Sequence, residues 1–70
     1  MRLRLAEPRL TDELTVALRQ AGCVAVQRGA GELFVALPAA RDAREELLEL
    51  TFFVRAWQSR RSAGELELEA

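Results

Sequence analysis

Hydrophobic and polar positions alternate along this chain with two periods, and the order of the periods predicts a topology. A period of two, typical of half-buried strands, covers residues 2–6 and the closing segment 65–69. A helical period of three to four covers residues 10–21 and again residues 41–60. Between the helices, two apolar runs, 23–28 and 32–37, flank a Gly-Ala-Gly segment and predict an antiparallel hairpin.

Residues with special backbone roles mark the predicted ends of these elements. Thr11 or Asp12 is the expected N-cap of the first helix, and Gly22 is placed to end it in a left-handed conformation. Pro38 ends the third strand because it lacks the N–H that a sheet ladder needs, and Gly64 separates the second helix from the last strand.

The resulting order, βαββαβ, predicts a single α+β domain over residues 1–70. Two right-handed strand-helix-strand units give a ferredoxin-like two-layer sandwich, with a four-stranded antiparallel sheet of order 4-1-3-2 and both helices on one face. Charge supports this order, because it sets Arg2 and Arg4 on the first strand beside Glu65, Glu67 and Glu69 on the last.

The second helix carries more apolar surface than one buried face requires. Its expected core face is formed by Ala43, Leu47, Leu50, Val54 and Trp57, with Thr51 and Phe53 at the borders. A second stripe, Leu48, Phe52 and Ala56, lies on the opposite side at i, i+4 spacing. A helix of about 20 residues spans about 30 Å, roughly 10 Å more than the strands, and we expect its C-terminal end with Trp57 to project past the sheet.

We therefore expect Leu48, Phe52, Ala56 and Trp57 to form an interface, with a second copy of the chain as the simplest partner. Phe34, on the open face of the sheet beside Ala25, Arg2 and Arg4, is a second contact candidate. An aromatic residue near arginines on such a face also suggests stacking of single-stranded nucleic acid, but a second aromatic is missing and acidic residues share the face.

Composition narrows the chemistry. A chain of 70 residues has a small core and gains most from association, since Cys23 is the single cysteine and histidine is absent, which excludes an internal disulfide and the usual metal sites. The chain also lacks lysine and tyrosine, and its carboxylates sit at solvated positions, so we expect no enzyme and no cofactor. A net charge of −1 does not favour nucleic-acid or lipid binding.

One segment resembles a known family. "EPRLTDELTVALRQAGCVAV", residues 7–26, is similar to the opening of ACT-type regulatory modules, in which a Pro-Gly-Leu turn leads into a helix that ends at a glycine. Pro8, Leu10 and Gly22 match this spacing, while Arg9 stands in place of the turn glycine. The resemblance implies a dimer or larger assembly that binds an amino acid or a similar small effector near Glu7, Arg9 and Leu10.

The sequence thus predicts a small, non-enzymatic interaction domain that forms a homo-oligomer, with a dimer favoured and another protein as the alternative partner. An ACT-like effector-binding module is the alternative function, and single-stranded nucleic-acid binding on the open sheet face is a more distant one. No apolar stretch reaches the length of a signal peptide or a membrane span, so a cytoplasmic protein is expected.

Overall fold

Two helices pack on one face of an antiparallel sheet. A computed structural model describes the backbone of residues 1–61 and 66–69, with side chains described for residues 1–60. A short 3-10 turn at Pro8–Leu10 follows the first strand, and the sheet order is β2-β3-β1-β4. The elements in chain order are β1 (Arg2–Leu5), α1 (Thr11–Gln20), β2 (Val24–Gly29), β3 (Glu32–Ala36), α2 (Ala43–Arg61) and β4 (Leu66–Glu69).

Helix α1 ends as predicted but begins differently. Gly22 adopts φ +90°, its N–H donates to the Arg19 carbonyl, and the Cys23 N–H donates to the Leu18 carbonyl, which is a Schellman arrangement. At the other end, no side chain caps the helix, because the 3-10 turn leads straight into Thr11. The Thr11 hydroxyl donates instead to the Pro8 carbonyl at 2.7 Å, so the predicted N-cap at Thr11 or Asp12 is wrong.

Helix α2 begins two residues later than predicted. The Glu45 N–H donates to a carboxylate oxygen of Asp42 at 2.8 Å, so Asp42 caps the helix and Ala43 is its first residue. One turn further, the Glu46 carboxylate accepts the Leu37 N–H at 3.0 Å. This bond ties the loop after β3 to the first turns of the helix.

The β2–β3 hairpin depends on Gly31. This residue has φ +75°, and a methyl group at its α-carbon would lie 2.8 Å from the Leu5 carbonyl oxygen. The Leu5 N–H in turn donates to the Gly31 carbonyl at 2.8 Å, which joins the hairpin turn to the end of β1. The ladder between β2 and β3 shifts register between Gln27 and Gly29, which marks a bulge.

Alternate residues of the strands face the helices and form one core. The strand residues in this core are Leu3, Leu5, Ala25, Leu33 and Val35. The helices supply Leu14 and Leu18 from α1 and Leu50, Val54 and Trp57 from α2. Both helices therefore cover the same face of the sheet, and among the described residues Val24, Val26 and Phe34 on the other face are exposed; we call this the open face.

The predicted fold class needs correction to a small α+β fold. Only three strands, β1, β2 and β3, have described side chains, and these strands with the two helices make up the described core. The predicted four-stranded ferredoxin-like sandwich is therefore wrong for this core, which consists of three antiparallel strands and two helices. For β4 the structure gives the backbone register alone, in which Arg2 is opposite Glu69 and Arg4 is opposite Glu67. The predicted pairing of Arg2 and Arg4 with glutamates of the last strand depends on side chains that lie outside the described ones. Glu65 itself lies outside the described residues.

The direction in which α2 projects was also predicted wrongly. Leu50, Val54 and Trp57 are buried, whereas Ala43 and Leu47, expected in the core, are exposed. The loop of residues 37–42 separates β3 from the helix, and the Asp42 cap and the bond from the Leu37 N–H to Glu46 fix where the helix starts. The first two turns of α2 therefore extend beyond the core, and its C-terminal half packs over the sheet.

Candidate association surface

Three side chains on the outer face of α2 form a continuous apolar stripe, which we name the helix stripe: Leu48, Phe52 and Ala56. Phe52 is 78% exposed and Leu48 is 61% exposed, while Ala56 is partly buried. They lie one turn apart on the side opposite the buried residues of the helix. Phe52 is the most exposed large apolar side chain among the described residues.

Charged side chains lie beside the N-terminal half of the helix stripe. Glu49 lines a shallow groove with Leu48 and Phe52. Nearer the start of the helix, Arg41 donates from Nε to Oε2 of Glu45 at 2.8 Å, an i, i+4 pair on the surface. An apolar centre with a charged rim is the usual layout of a protein interface.

Trp57 does not belong to this surface. It is only 2% exposed and packs among core residues, because the C-terminal half of α2 lies over the sheet. Its indole N–H has no hydrogen-bond partner in the structure as described, so its burial depends on its large apolar area. The predicted interface therefore loses Trp57 and keeps Leu48, Phe52 and Ala56 together.

Sequence reasoning missed a second apolar groove at the start of α2. Met1, Ala43 and Leu47 line it, with Arg44 and Glu46 at its sides. Leu47 is 40% exposed there. Leu47 has the same helical spacing as the buried residues of α2, so the hydrophobic pattern predicts that it is buried as well. Its exposure depends on where the helix starts, which the Asp42 cap determines.

The open face of the sheet carries a second apolar patch around Phe34. Phe34 is opposite Val26, and Val24 is opposite Ala36, in the β2–β3 ladder. Both valines are exposed, whereas Ala25, expected on this face, is buried under the helices. The physical reason is the alternation of side chains along a strand, which places Ala25 opposite Val35 on the core side.

Charges on the open face are mixed in sign. The Arg28 guanidinium lies 5.8 Å from the centre of the Phe34 ring, in the range of a cation–π contact. Arg4 is 3.9 Å from Glu32. Among the described side chains of this face, acidic and basic groups therefore lie side by side and do not form a continuous basic path for a nucleic-acid backbone.

The outer edge of β2 is partly covered by α1. The Val35 N–H and carbonyl both bond to Met1, on the β1 side, so Ala25 opposite Val35 is in a non-hydrogen-bonded pair and its carbonyl points away from β3. Arg19 donates to this carbonyl from Nη2 at 2.8 Å and from Nε at 3.2 Å. A bound guanidinium at the middle of the edge opposes the addition of another strand there.

The candidate effector turn brings Glu7 and Arg9 together. Arg9 Nη2 lies 2.7 Å from Glu7 Oε2, while Leu10 packs against the core instead of lining the turn surface. An open groove runs beside this turn, between the start of α1 and the β2–β3 hairpin. Its lining includes Pro8, Thr11, Asp12, Gln27 and Arg28. Asp12 accepts a hydrogen bond from Gln27 at 2.6 Å across this groove.

The environment of the single thiol disfavours its reactive form. Burial raises the pKa of the Cys23 thiol, and the negative charge of Glu46 raises it further, so the nucleophilic thiolate is disfavoured. Within the described residues, no three Asp, Glu or Cys side chains are grouped to hold a metal ion.

Comparisons with known proteins found no significant match to the chain among protein-family models, curated protein sequences or solved structures. Of the helices in the described residues, neither is long and apolar enough to cross a membrane.

Proposed function

We propose that this protein is a non-enzymatic cytoplasmic domain that works by association, and that a second copy of the chain covers the helix stripe. The observation that carries the proposal is the exposure of Phe52, 78%, with Leu48 beside it at 61%. Two large apolar side chains at i, i+4 spacing on one helix face exceed the scattered single exposures that are normal at a protein surface.

The magnitudes favour a reversible association. Full burial of a Leu or Phe side chain is worth about 1.5–3 kcal/mol, so burying these two residues from each of two copies supplies about 6–12 kcal/mol. Bringing two chains together costs about 4–15 kcal/mol in lost freedom, before rim contacts are added. Because the gain and the cost are similar in size, we expect a weak dimer whose fraction changes with protein concentration within the range that solution methods can measure.

The covered edge of β2 also bears on the choice of surface. Strand addition would have to displace Arg19 from the Ala25 carbonyl, whereas the helix stripe can be covered without breaking a described hydrogen bond. The Phe34 patch offers a smaller apolar target, since Phe34 is only 38% exposed. We therefore place the main contact on α2 and treat the open sheet face as a second one.

Phe52→Glu is expected to abolish self-association and leave the fold intact, because a carboxylate at the centre of the helix stripe would be desolvated by a partner but is solvated in the monomer. Size-exclusion chromatography with light scattering over a concentration series measures the mass. Val16→Glu is the matched control, since Val16 is also an exposed apolar residue on a helix, at 53% exposure on α1. A wild type that remains monomeric throughout the series contradicts the proposal.

The groove beside the effector turn supports a second candidate, binding of an amino acid or similar small effector. It presents the carboxylate of Asp12, which can pair with the ammonium group of such a ligand.

If this second candidate is right, one or more amino acids will raise the melting temperature of the wild type, because a ligand that binds only the folded state stabilises it. Asp12→Asn should reduce that shift, and Glu49→Gln, which alters a carboxylate remote from the groove, should not. Thermal denaturation against a panel of the common amino acids is the measurement. A flat response to the whole panel removes the support for this candidate.

A further inference from the structure

The charges along α2 indicate how two copies would fit together. Around the helix, Ala56 lies to one side of Phe52. On that side, the N-terminal half of α2 carries Glu45 and Glu49, and the C-terminal half carries Arg60. At about 100° per residue, Glu45 lies about 20° and Arg60 about 80° from Phe52 in the same direction around the helix. This side of the helix is therefore acidic at one end and basic at the other.

From this distribution we infer that two copies pair their α2 helices antiparallel, about a twofold axis at Phe52, with Glu45 of each copy beside Arg60 of the other. This inference rests on the proposed function and adds its geometry. In such a pair, a residue a given number of positions before Phe52 lies level with the residue the same number of positions after it in the second copy. Glu45 is seven positions before Phe52 and Arg60 is eight positions after it.

The apolar residues fit the same register. Leu48 is four positions before Phe52 and Ala56 is four after it, so each Leu48 meets an Ala56 of the second copy, a large side chain against a small one. A parallel, in-register pair would instead set Leu48 against Leu48, Glu45 near Glu45 and Arg60 near Arg60. Like charges at both ends and aligned helix dipoles make the parallel pair unfavourable.

Two other basic residues near the N-terminal end are compatible with this arrangement. Arg41 already donates to Oε2 of Glu45, and the second oxygen of that carboxylate can accept from an incoming guanidinium. Arg44 lies level with Arg60 of the second copy but on the other side of the helix stripe, about 80° from Phe52 in the opposite direction. Its charge is therefore not expected to oppose the pairing.

A charge-reversal cycle tests the arrangement, with dimer dissociation constants measured by analytical ultracentrifugation. Glu45→Arg alone and Arg60→Glu alone should each raise the dissociation constant about tenfold, because the twofold axis places each reversed pair twice in the dimer. The double variant Glu45→Arg/Arg60→Glu should return to within about threefold of the wild type. Arg44→Glu, on the other side of the helix stripe, is the control and should change the constant about twofold or less.

A disulfide test measures orientation separately, in a Cys23→Ser background. In the antiparallel pair, two Ser59 positions are about 21 Å apart along the helix, whereas Ser59 and Glu45 of the other copy are level. Oxidation should therefore cross-link the Glu45→Cys/Ser59→Cys variant between copies and leave the Ser59→Cys variant uncross-linked.

The outcomes separate the two ideas. A monomeric wild type contradicts the proposed function itself. A dimeric wild type whose double variant is not restored, or whose Ser59→Cys variant cross-links, contradicts the antiparallel register and leaves self-association standing. Circular dichroism checks that the single variants are folded. If the substitutions acted by damaging the helix, the double variant would bind at least as weakly as the single variants, so a restored dissociation constant excludes that explanation.

Discussion

Gly31→Ala is expected to lower the free energy of unfolding by about 2–5 kcal/mol. A left-handed backbone costs a residue with a β-carbon about 1–2 kcal/mol, and forcing an atom into a packed site costs about 1–3 kcal/mol more. Both terms apply here, because Gly31 has φ +75° and the new methyl group would lie 2.8 Å from the Leu5 carbonyl oxygen. The carbonyl belongs to the backbone of β1 and cannot move aside as a flexible side chain could.

The chain offers two matched controls for this prediction. Gly22 has φ +90° with open space around it, so Gly22→Ala tests the backbone term alone. Gly29 has open space and no left-handed φ, so Gly29→Ala should change stability by about 0.5 kcal/mol or less. Urea unfolding followed by the fluorescence of Trp57 gives all three values. Equal losses for Gly31→Ala and Gly22→Ala would show that the contact with β1 is unimportant.

Trp57→Ala is expected to cost about 3–5 kcal/mol, the range for removing a large aromatic side chain from a core. A domain of this size has a total stability of about 3.5–10 kcal/mol, so this single change removes a large part of it. Phe52→Ala, which trims the exposed aromatic residue five positions earlier, should cost about 0.5 kcal/mol or less at concentrations where the chain is monomeric.

Urea unfolding followed by far-ultraviolet circular dichroism suits both variants, since Trp57 is the only tryptophan. If Trp57→Ala leaves no folded protein, Trp57→Phe is the milder variant; it also removes an indole N–H that has no described partner, and its loss should be smaller. A cost for Phe52→Ala as large as that for Trp57→Ala would contradict the assignment of one residue to the core and the other to the surface.

Local rules predicted the helices, the strands and the C-terminal end of α1, because hydrophobic periods and a glycine at a helix end depend on neighbouring residues, whereas the N-terminal ends of both helices were predicted less well. Gly22 ends α1 with the hydrogen bonds its position implies, and the alternation in β1 places Leu3 and Leu5 in the core. The positions of the loops are harder to predict. Nothing in the helical period of residues 41–60 distinguishes Leu47 from Val54, and the length argument for the overhang could be applied to either end.

The candidate surface was predicted in the part that depends on helical periodicity alone. Leu48, Phe52 and Ala56 share a face whatever the tilt of the helix, whereas the exposure of Trp57 depends on where α2 sits over the sheet. The bond from the Leu37 N–H to Glu46 joins the end of β3 to α2 across the loop, and the Asp42 cap fixes the first residue of the helix. Contacts of this kind leave no periodic signal in the sequence.

Arg19 holds the end of α1 and the edge of β2 together within a few residues of chain. Its carbonyl accepts from Gly22, and its guanidinium binds the carbonyl of Ala25, six positions away. Closing so short a loop loses little chain entropy, whereas pairing β1 with β3 joins residues about thirty positions apart. The helix and its following strand are therefore expected to become native-like early in folding, before the first strand finds its place in the sheet.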